Sequence, residues 1–182
     1  EQALREAGGQ CWTQQGYLPL KVQGPLQGGT VHLDGSHGSQ FLSGLLFALP
    51  LAKKDSRIVV DNLRSKPYID MTLEVLEHYG IQVHHHQYQT FYIPGNQRYH
   101  PAHIEIEGDW SNAALLLTGA AIHGEVTLKG LQAQSAQGDR KILEALREWG
   151  VGWTHNQCTF TLQSPKELAA FDFDATHCSG LF

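Results

Sequence analysis

The 182-residue sequence predicts an α/β (α+β) fold in which helices pack on mixed sheets. Short segments that alternate apolar and polar residues, typical of strands, are separated by apolar or amphipathic segments of helix length. Similar segments also recur along the chain, since Gly35 and Gly108 are 73 residues apart and Gly80 and Gly150 are 70 apart. We therefore expect repeated β-α-β-α-β-β units: the end of one, two full units and the start of a fourth.

Three segments are predicted to be the first strand of a unit. Each alternates apolar and polar residues and then reaches an acidic residue, a small residue and a candidate helix cap. They are Val31–Ser36, Ile104–Asp109 and Phe171–Thr176. We expect a half-buried strand in each.

The first helix of each full unit is predicted at Phe41–Leu49 and at Ala113–Ile122. Both segments are apolar nearly all round, which favours buried helices. Strands are expected between the two helices of each unit, at Val59–Val60 and Val126–Leu128.

The second helix of each unit is amphipathic and stops at a glycine, the residue most common after a helix end. These helices include Gln2–Gly8, Glu74–Gly80 and Glu144–Gly150. Each is followed by two predicted strands: Gly9–Thr13 and Leu18–Val22, Ile81–His85 and Thr90–Ile93, and Val151–His155 and Thr159–Leu162.

Composition narrows the classes of partner. The formal net charge of −5 argues against nucleic acid, and no apolar segment is long enough to span a membrane. The three cysteines are far apart, which favours a reducing cytoplasmic compartment over a disulfide framework or a zinc site. His84–His86 falls in a predicted strand whose side chains alternate faces, so we expect an edge strand and no metal.

The first candidate site lies at the start of the helix after Val31–Ser36. We expect Ser36 or Gly38 to cap this helix, with Ser39 and Gln40 in its first turn. Unpaired N–H groups there attract anions, and small residues let a ligand approach the backbone. Plain helix capping remains the alternative.

The second candidate site is predicted at Ser65, a suitable N-cap, followed by Pro67 in the first helical turn. Arg64 and Lys66 add positive charge that opposes the helix dipole unless an anion is present. Tyr68 suits stacking on a ring-shaped ligand or simple half-burial. Two such helix starts indicate a surface that binds a phosphorylated ligand.

Other helix starts suggest capping first. Asp109 is expected to be the N-cap of the apolar helix in the next unit, and Gln137–Arg140 to precede another helix. His37 and His177 occupy equivalent places in the repeat, either as structural residues or as groups that titrate near neutral pH.

These motifs together resemble the 5-enolpyruvylshikimate-3-phosphate (EPSP) synthase family, the 3-phosphoshikimate 1-carboxyvinyltransferases. The resemblance covers essentially the whole chain, in the family's order and spacing, and the segment beginning at Ser65 is the most specific. The matching segments are Asp34–Leu42, Ser65–Leu73, Glu107–Ser111, Gln137–Asp139 and Asp172–His177.

The resemblance implies a two-domain enzyme of inside-out barrels, each built from three such units. This chain would be a central fragment, with 1–106 in the shikimate-phosphate-binding domain and 107–182 beginning the other. The family transfers the enolpyruvyl group of phosphoenolpyruvate to the 5-hydroxyl of shikimate 3-phosphate, on the shikimate pathway to aromatic amino acids. No metal or organic cofactor is implied, and we expect a cytoplasmic monomer.

Site residues follow from the same resemblance. Ser39 and Ser65 look like ligands of the shikimate phosphate, Gln40 like a contact to both substrates, and Tyr68 like the aromatic residue against the shikimate ring. Gly38 stands where the family usually has serine, so one hydroxyl is lost although its N–H remains.

Two positions bear on catalysis. Asp109 matches an acidic residue near the crossing between domains, and Gly180 stands where the family has its catalytic aspartate. We therefore expect this chain alone to be inactive. Two alternatives remain open: a relative of UDP-N-acetylglucosamine enolpyruvyl transferase, and a non-catalytic fragment that binds an anion.

Overall fold

The computed structural model describes residues 1–156, 158–165, 167–175, 178 and 181. The chain divides into two compact units, Glu1–His103 and Ile104–Phe182. The predicted domain boundary between residues 106 and 107 lies three residues beyond this division. The assignment of the two parts to two different domains stays a prediction.

The first unit contains a hairpin and a four-stranded sheet. Helix α1 (Gln2–Glu6) precedes the antiparallel hairpin of β1 (Gln10–Gln14) and β2 (Tyr17–Gln23). The larger sheet has the order β3-β4-β6-β5. Its strands are β3 (Gly29–Asp34), β4 (Ser56–Asp61), β5 (His84–His86) and β6 (Thr90–Ile93), of which only β3 and β4 run parallel to each other.

Two helices connect the strands of this sheet and cover it. Helix α2 (Gln40–Ala48) follows β3, and α3 (Lys66–His78) follows β4. Their apolar faces form one core with the sheet, because leucines of α2 recur at the helical spacing of three to four residues. The core includes Leu42, Leu46, Ile69 and Leu76 from the helices and Val31, Ile58, Phe91 and Ile93 from the strands.

The second unit has a smaller, antiparallel sheet of order β7-β9-β8. Its core is centred on Trp110, which packs edge-to-face on Phe160 at a ring distance of 5.0 Å. The elements are α4 (Trp110–Ile122), β7 (Glu125–Lys129), α5 (Ile142–Glu148), β8 (Trp153–Asn156) and β9 (Thr159–Gln163).

The predicted fold class is confirmed, since helices pack on one mixed and one antiparallel sheet. Most element positions also agree with the sequence pattern, although β5 begins at His84 and not at Ile81. Among the described residues, no helix combines the length and apolar character needed to cross a membrane.

Two predicted strands are wrong. Residues 104–109 and 171–175 adopt no strand, and Thr176 lies outside the described residues. Alternation of apolar and polar residues fixes which side of a strand would be buried, but a strand also needs a neighbour to pair its backbone groups. At Gly108 the N–H donates to the carbonyl of Gly130 at 2.7 Å, and this contact does not extend into a ladder.

Candidate functional site

The starts of α2 and α3 lie at one edge of the first unit's sheet. Strands β3 and β4 are parallel and in register to their last residues, where Asp34 pairs with Asp61. Each helix follows the carboxyl end of its strand. The parallel arrangement therefore places both helix starts on the same side, the usual location of ligand sites in such sheets.

A glycine allows the two helix starts to approach closely. A Cβ atom at Gly35 would lie 2.8 Å from the Cα of Leu63, which is too close for any side chain. The backbone N–H of Arg64 also donates to the carbonyl of Gly35 at 3.3 Å. The small residue after Asp34 is thus required by the approach of the segment that leads into α3.

The predicted cap of α2 is wrong. Ser36 belongs to a short 3-10 turn, Gly35–His37, and both its N–H (3.0 Å) and its hydroxyl (2.9 Å) donate to the Asp34 carboxylate. Both hydrogen bonds lower the pKa of the Asp34 carboxyl, and the bond from the backbone N–H of Ser36 has the larger effect. Ser39 is the N-cap of α2 and Gln40 its first residue, because the extra turn delays the helix.

Gly38 has a specific effect on Gln40. Its φ of +118° is unfavourable for residues with a side chain, and a Cβ atom there would lie 2.6 Å from Oε1 of Gln40. The Gln40 amide therefore lies against the backbone of Gly38. A serine at this position would require Gln40 to move.

The predicted cap of α3 is confirmed. Ser65 is the N-cap, Pro67 lies in the first turn, and the N–H of Tyr68 donates to the Ser65 carbonyl at 3.1 Å. Ser65 is 5% exposed and adopts a left-handed conformation, with φ of 55° and ψ of 43°. Residues other than glycine, asparagine and aspartate rarely adopt it, and such residues often occur at functional sites.

Helices α2 and α3 are joined by polar contacts below their starts. The hydroxyl of Thr72 donates to the Tyr68 carbonyl at 2.9 Å, and it lies 2.8 Å from the Ser43 hydroxyl. Because Thr72 uses its single proton on the carbonyl, Ser43 must donate to Thr72. This chain of bonds fixes the spacing between the two helices.

An open groove of about 440 Å³ runs between these helices and brings together Ser39, Gln40 and Tyr68. The remaining lining is mainly apolar and includes Phe47 and Met71. Ser65 caps the helix that carries Tyr68 but does not line this groove. The groove therefore combines hydroxyl and amide groups near the helix starts with an apolar wall.

Positive charge lies at the start of α3. Arg64 is exposed, and the Lys66 ammonium lies 5.5 Å from the centre of the Tyr88 ring. Both cations oppose the helix dipole, which makes this end of α3 more favourable for a bound anion than an ordinary capped helix.

The second unit places Asp109 in a capping role. Asp109 is the N-cap of α4, and its Oδ1 accepts a hydrogen bond from the Ser111 N–H at 2.8 Å. The Ser111 hydroxyl donates in turn to Asp139, which is 0% exposed, at 2.6 Å. Capping by Asp109 is confirmed, whereas its catalytic role stays a prediction. Gly180 and His177 lie outside the described residues.

A part-buried polar network in this unit was missed by sequence reasoning. The Glu107 carboxylate accepts from the Ser135 hydroxyl at 2.6 Å and from the Gln137 side-chain amide at 2.9 Å. The Gln137 side-chain carbonyl accepts from the N–H of Trp110 at 2.8 Å. Ser135 is 28 residues from Glu107 in the chain, and no local pattern links them.

The histidine triplet forms β5, the edge strand of its sheet, as predicted. All three side chains are exposed. Over the described ranges, no group of three or more histidine, cysteine, aspartate or glutamate residues is arranged to hold a metal ion.

Comparison with known proteins adds independent findings. A family model described as EPSP synthase (3-phosphoshikimate 1-carboxyvinyltransferase) matches residues 1–178. The 3-phosphoshikimate 1-carboxyvinyltransferase of Vibrio cholerae is 43% identical over 96% of this chain and 42% of its own length. That of Haemophilus influenzae is 40% identical over 96% of this chain and 41% of its own length. The chain thus spans about two fifths of these relatives.

Solved structures agree at the level of the fold. EPSP synthase from Acinetobacter baumannii superposes with a TM-score of 0.71 at 21% identity, covering 98% of this chain and 42% of that one. The enolpyruvyl transferase NikO from Streptomyces tendae gives a TM-score of 0.66 at 14% identity, covering 91% and 42%. At these identities the likeness concerns the fold alone.

Proposed function

Because the chain belongs to the EPSP synthase family, we propose that it contributes the acceptor-binding part of a 3-phosphoshikimate 1-carboxyvinyltransferase. The reaction moves the enolpyruvyl group of phosphoenolpyruvate to the 5-hydroxyl of shikimate 3-phosphate. One observation carries this proposal: two helix starts with buried serines, Ser39 and Ser65, lie at the same edge of one sheet.

The proposed roles follow from the chemistry of these groups. The hydroxyls of Ser39 and Ser65 and the backbone N–H groups of α2 and α3 bind the phosphate of shikimate 3-phosphate. Lys66, the first residue of α3, adds a positive charge at the start of that helix. Tyr68 packs against the ring of shikimate 3-phosphate from the groove that it lines together with Gln40. The side-chain amide of Gln40 contacts both substrates.

In the proposed reaction, the acceptor hydroxyl adds to the enol carbon while a proton goes to the methylene carbon. The tetrahedral intermediate then loses phosphate and a proton to restore the enolpyruvyl group. No metal or organic cofactor is needed for these steps. A carboxylate that accepts the hydroxyl proton is required, and Gly180 stands at the position where the family has this aspartate.

We also propose the organisation of the whole protein. Residues 1–106 belong to the shikimate-phosphate-binding domain and 107–182 to the other domain of a cytoplasmic monomer, both built from one repeated unit. Asp109 lies at the crossing between them. The 182 residues alone are expected to release no phosphate from the two substrates, since they span only 42% of a full-length relative.

The test is a titration of the ¹⁵N-labelled chain with shikimate 3-phosphate, followed by NMR. We expect the amide signals of Ser39, Gln40 and Ser65 to shift. The double substitution Ser39→Ala with Ser65→Ala should abolish the shifts, whereas Ser164→Ala, at an exposed position in the second unit, should leave them unchanged. Shifts that survive the double substitution would contradict the proposal.

The same titration distinguishes the alternatives. Stronger binding of UDP-N-acetylglucosamine than of shikimate 3-phosphate would favour the related transferase. Equal shifts with inorganic phosphate and with shikimate 3-phosphate would reduce the site to one that recognises only an anion.

A further inference from the structure

The turn between β5 and β6 adopts an unfavourable backbone conformation. Gln87 and Tyr88 both have positive φ, 49° and 58°, in the left-handed region. Hairpin turns of this kind favour asparagine and glycine, because residues with larger side chains are strained there. The turn is nevertheless bonded at both sides, since Gln89 donates to the His86 carbonyl (2.9 Å) and accepts from the N–H of Val60 (2.8 Å).

The side chain of Tyr88 leads from this turn to helix α3. Its hydroxyl donates to Oδ1 of Asp70 at 2.6 Å. That hydrogen bond to the carboxylate is the main reason why the pKa of Tyr88 rises to about 12. The phenol is therefore protonated at neutral pH and remains a donor to α3.

The ring of Tyr88 also contacts the first residue of α3. The Lys66 ammonium lies over the ring, 5.5 Å from its centre. Lys66 and Asp70 are four residues apart and therefore share one face of the helix. Tyr88 contacts both, so a single side chain from the turn holds the beginning of α3 at two points.

From these contacts we infer that Tyr88 is a positioning residue that holds the Lys66 ammonium in place at the start of α3. The cation would otherwise be free to turn away, because its charge opposes the helix dipole. The π face of the ring offsets that repulsion and limits the ammonium to one side of the helix. This role explains why strain is retained at Gln87 and Tyr88. Its importance for binding rests on the proposed function of this site as the seat of the shikimate phosphate.

A matched pair of substitutions separates positioning from a general role in the sheet. Tyr88→Leu removes both the ring and the hydroxyl, whereas Tyr88→Phe keeps the ring. Tyr92→Leu is the control, because Tyr92 lies on β6 and forms a similar contact with Arg57, 5.8 Å from the ring centre. Equal folding of the variants is checked by their NMR spectra.

The first readout needs no ligand. Protons near the face of an aromatic ring are shifted upfield, so we expect upfield signals for the ε-methylene group of Lys66 in the unsubstituted chain. Tyr88→Phe should reduce this shift, Tyr88→Leu should abolish it, and Tyr92→Leu should leave it unchanged. Lys66 signals at ordinary positions in the unsubstituted chain would overturn the inference, whether or not any ligand binds.

The second readout is the dissociation constant of shikimate 3-phosphate. We expect Tyr88→Leu to weaken binding about fivefold, and to have no further effect when Lys66→Ala is already present. If Tyr88→Leu weakened ligand binding equally in the unsubstituted chain and in the Lys66→Ala variant, the positioning role would be overturned. Absence of binding to the unsubstituted chain would contradict the proposed function instead, and the Lys66 shift would then decide on Tyr88 alone.

Discussion

The two units share an order of elements but differ in the charge at their helix starts. In each, two helices alternate with strands, and the sheet orders β4-β6-β5 and β7-β9-β8 correspond. The helix starts of the first unit carry Ser39, Ser65 and Lys66, whereas α4 is capped by Asp109 and bonded through Ser111 to Asp139. At α4 a carboxylate already lies at the positive end of the helix. The same order of elements thus carries cations and hydroxyls at the start of α3 and carboxylates at the start of α4.

The largest difference in stability is expected between substitutions at two glycines, Gly35 before α2 and Gly108 before α4. A Cβ atom at Gly35 would meet the Cα of Leu63 at 2.8 Å, whereas at Gly108 it would meet the Gly130 carbonyl oxygen at 3.1 Å. We expect Gly35→Ala to lower the free energy of unfolding by about 3 kcal/mol and Gly108→Ala by about 1 kcal/mol. Urea unfolding of both variants measures this, and equal losses would show that the two starts are packed alike.

The next largest effect is expected at Asp139, the buried carboxylate of the second unit. Asp139→Asn keeps the shape of the side chain but replaces a charged acceptor of the Ser111 hydroxyl. We expect a loss of about 2 kcal/mol, measured by urea unfolding with tryptophan fluorescence, since Trp110, Trp149 and Trp153 all lie in this unit. Asp174→Asn is a control at a carboxylate in the same unit that is not fully buried. A loss no larger than in this control would contradict a structural role for Asp139.

The N-caps Asp109 of α4 and Ser39 of α2 should differ in how much they stabilise the fold. Asp109→Ala removes an acceptor of a helix N–H and is expected to cost about 1 kcal/mol, a typical value for a lost cap. Ser39→Ala is expected to cost only a few tenths of a kcal/mol, because within the described residues its side chain makes no capping bond to α2. Thermal unfolding measures both, and a larger loss for Ser39→Ala would mean that its hydroxyl serves stability more than binding.

The smallest effect concerns pH. Hydrogen bonding to Asp70 raises the pKa of Tyr88 from 10.0 to about 12 in the folded chain. The unfolded chain therefore loses this proton first, and the stabilising contribution falls as pH rises from 10 to 12. The effect should be small because water still reaches this part-buried pair and screens it. Urea unfolding between these pH values should show a weaker pH dependence for Tyr88→Phe than for Tyr92→Phe. The same dependence in both would contradict a bond between Tyr88 and Asp70.

Helices and paired strands could be predicted because their signals are local. The apolar leucines of α2, the glycine after α3 and the alternation in β3 each specify an element within a few residues. The strand expected at residues 104–109 shows the limit of such signals. Pairing depends on a neighbouring strand, and a local pattern carries no information on whether one is present.

The candidate site could be predicted only in part. Ser65 and Pro67 follow a recognisable capping pattern, and the structure agrees with it. The cap of α2 could not be read in this way, because Ser36 competes with Ser39 and is drawn into a turn by Asp34. The contacts of Tyr88 with Asp70 and Lys66 also escape prediction, since they join residues about 20 apart across two elements.

The most direct test of a shared phosphate site in the first unit is a crystal structure of the chain grown with shikimate 3-phosphate. We expect phosphate oxygens about 3 Å from the hydroxyls of both Ser39 and Ser65, with the ring over Tyr68. A phosphate that contacts only one of these serines, or that lies at the start of α4, would contradict the shared site.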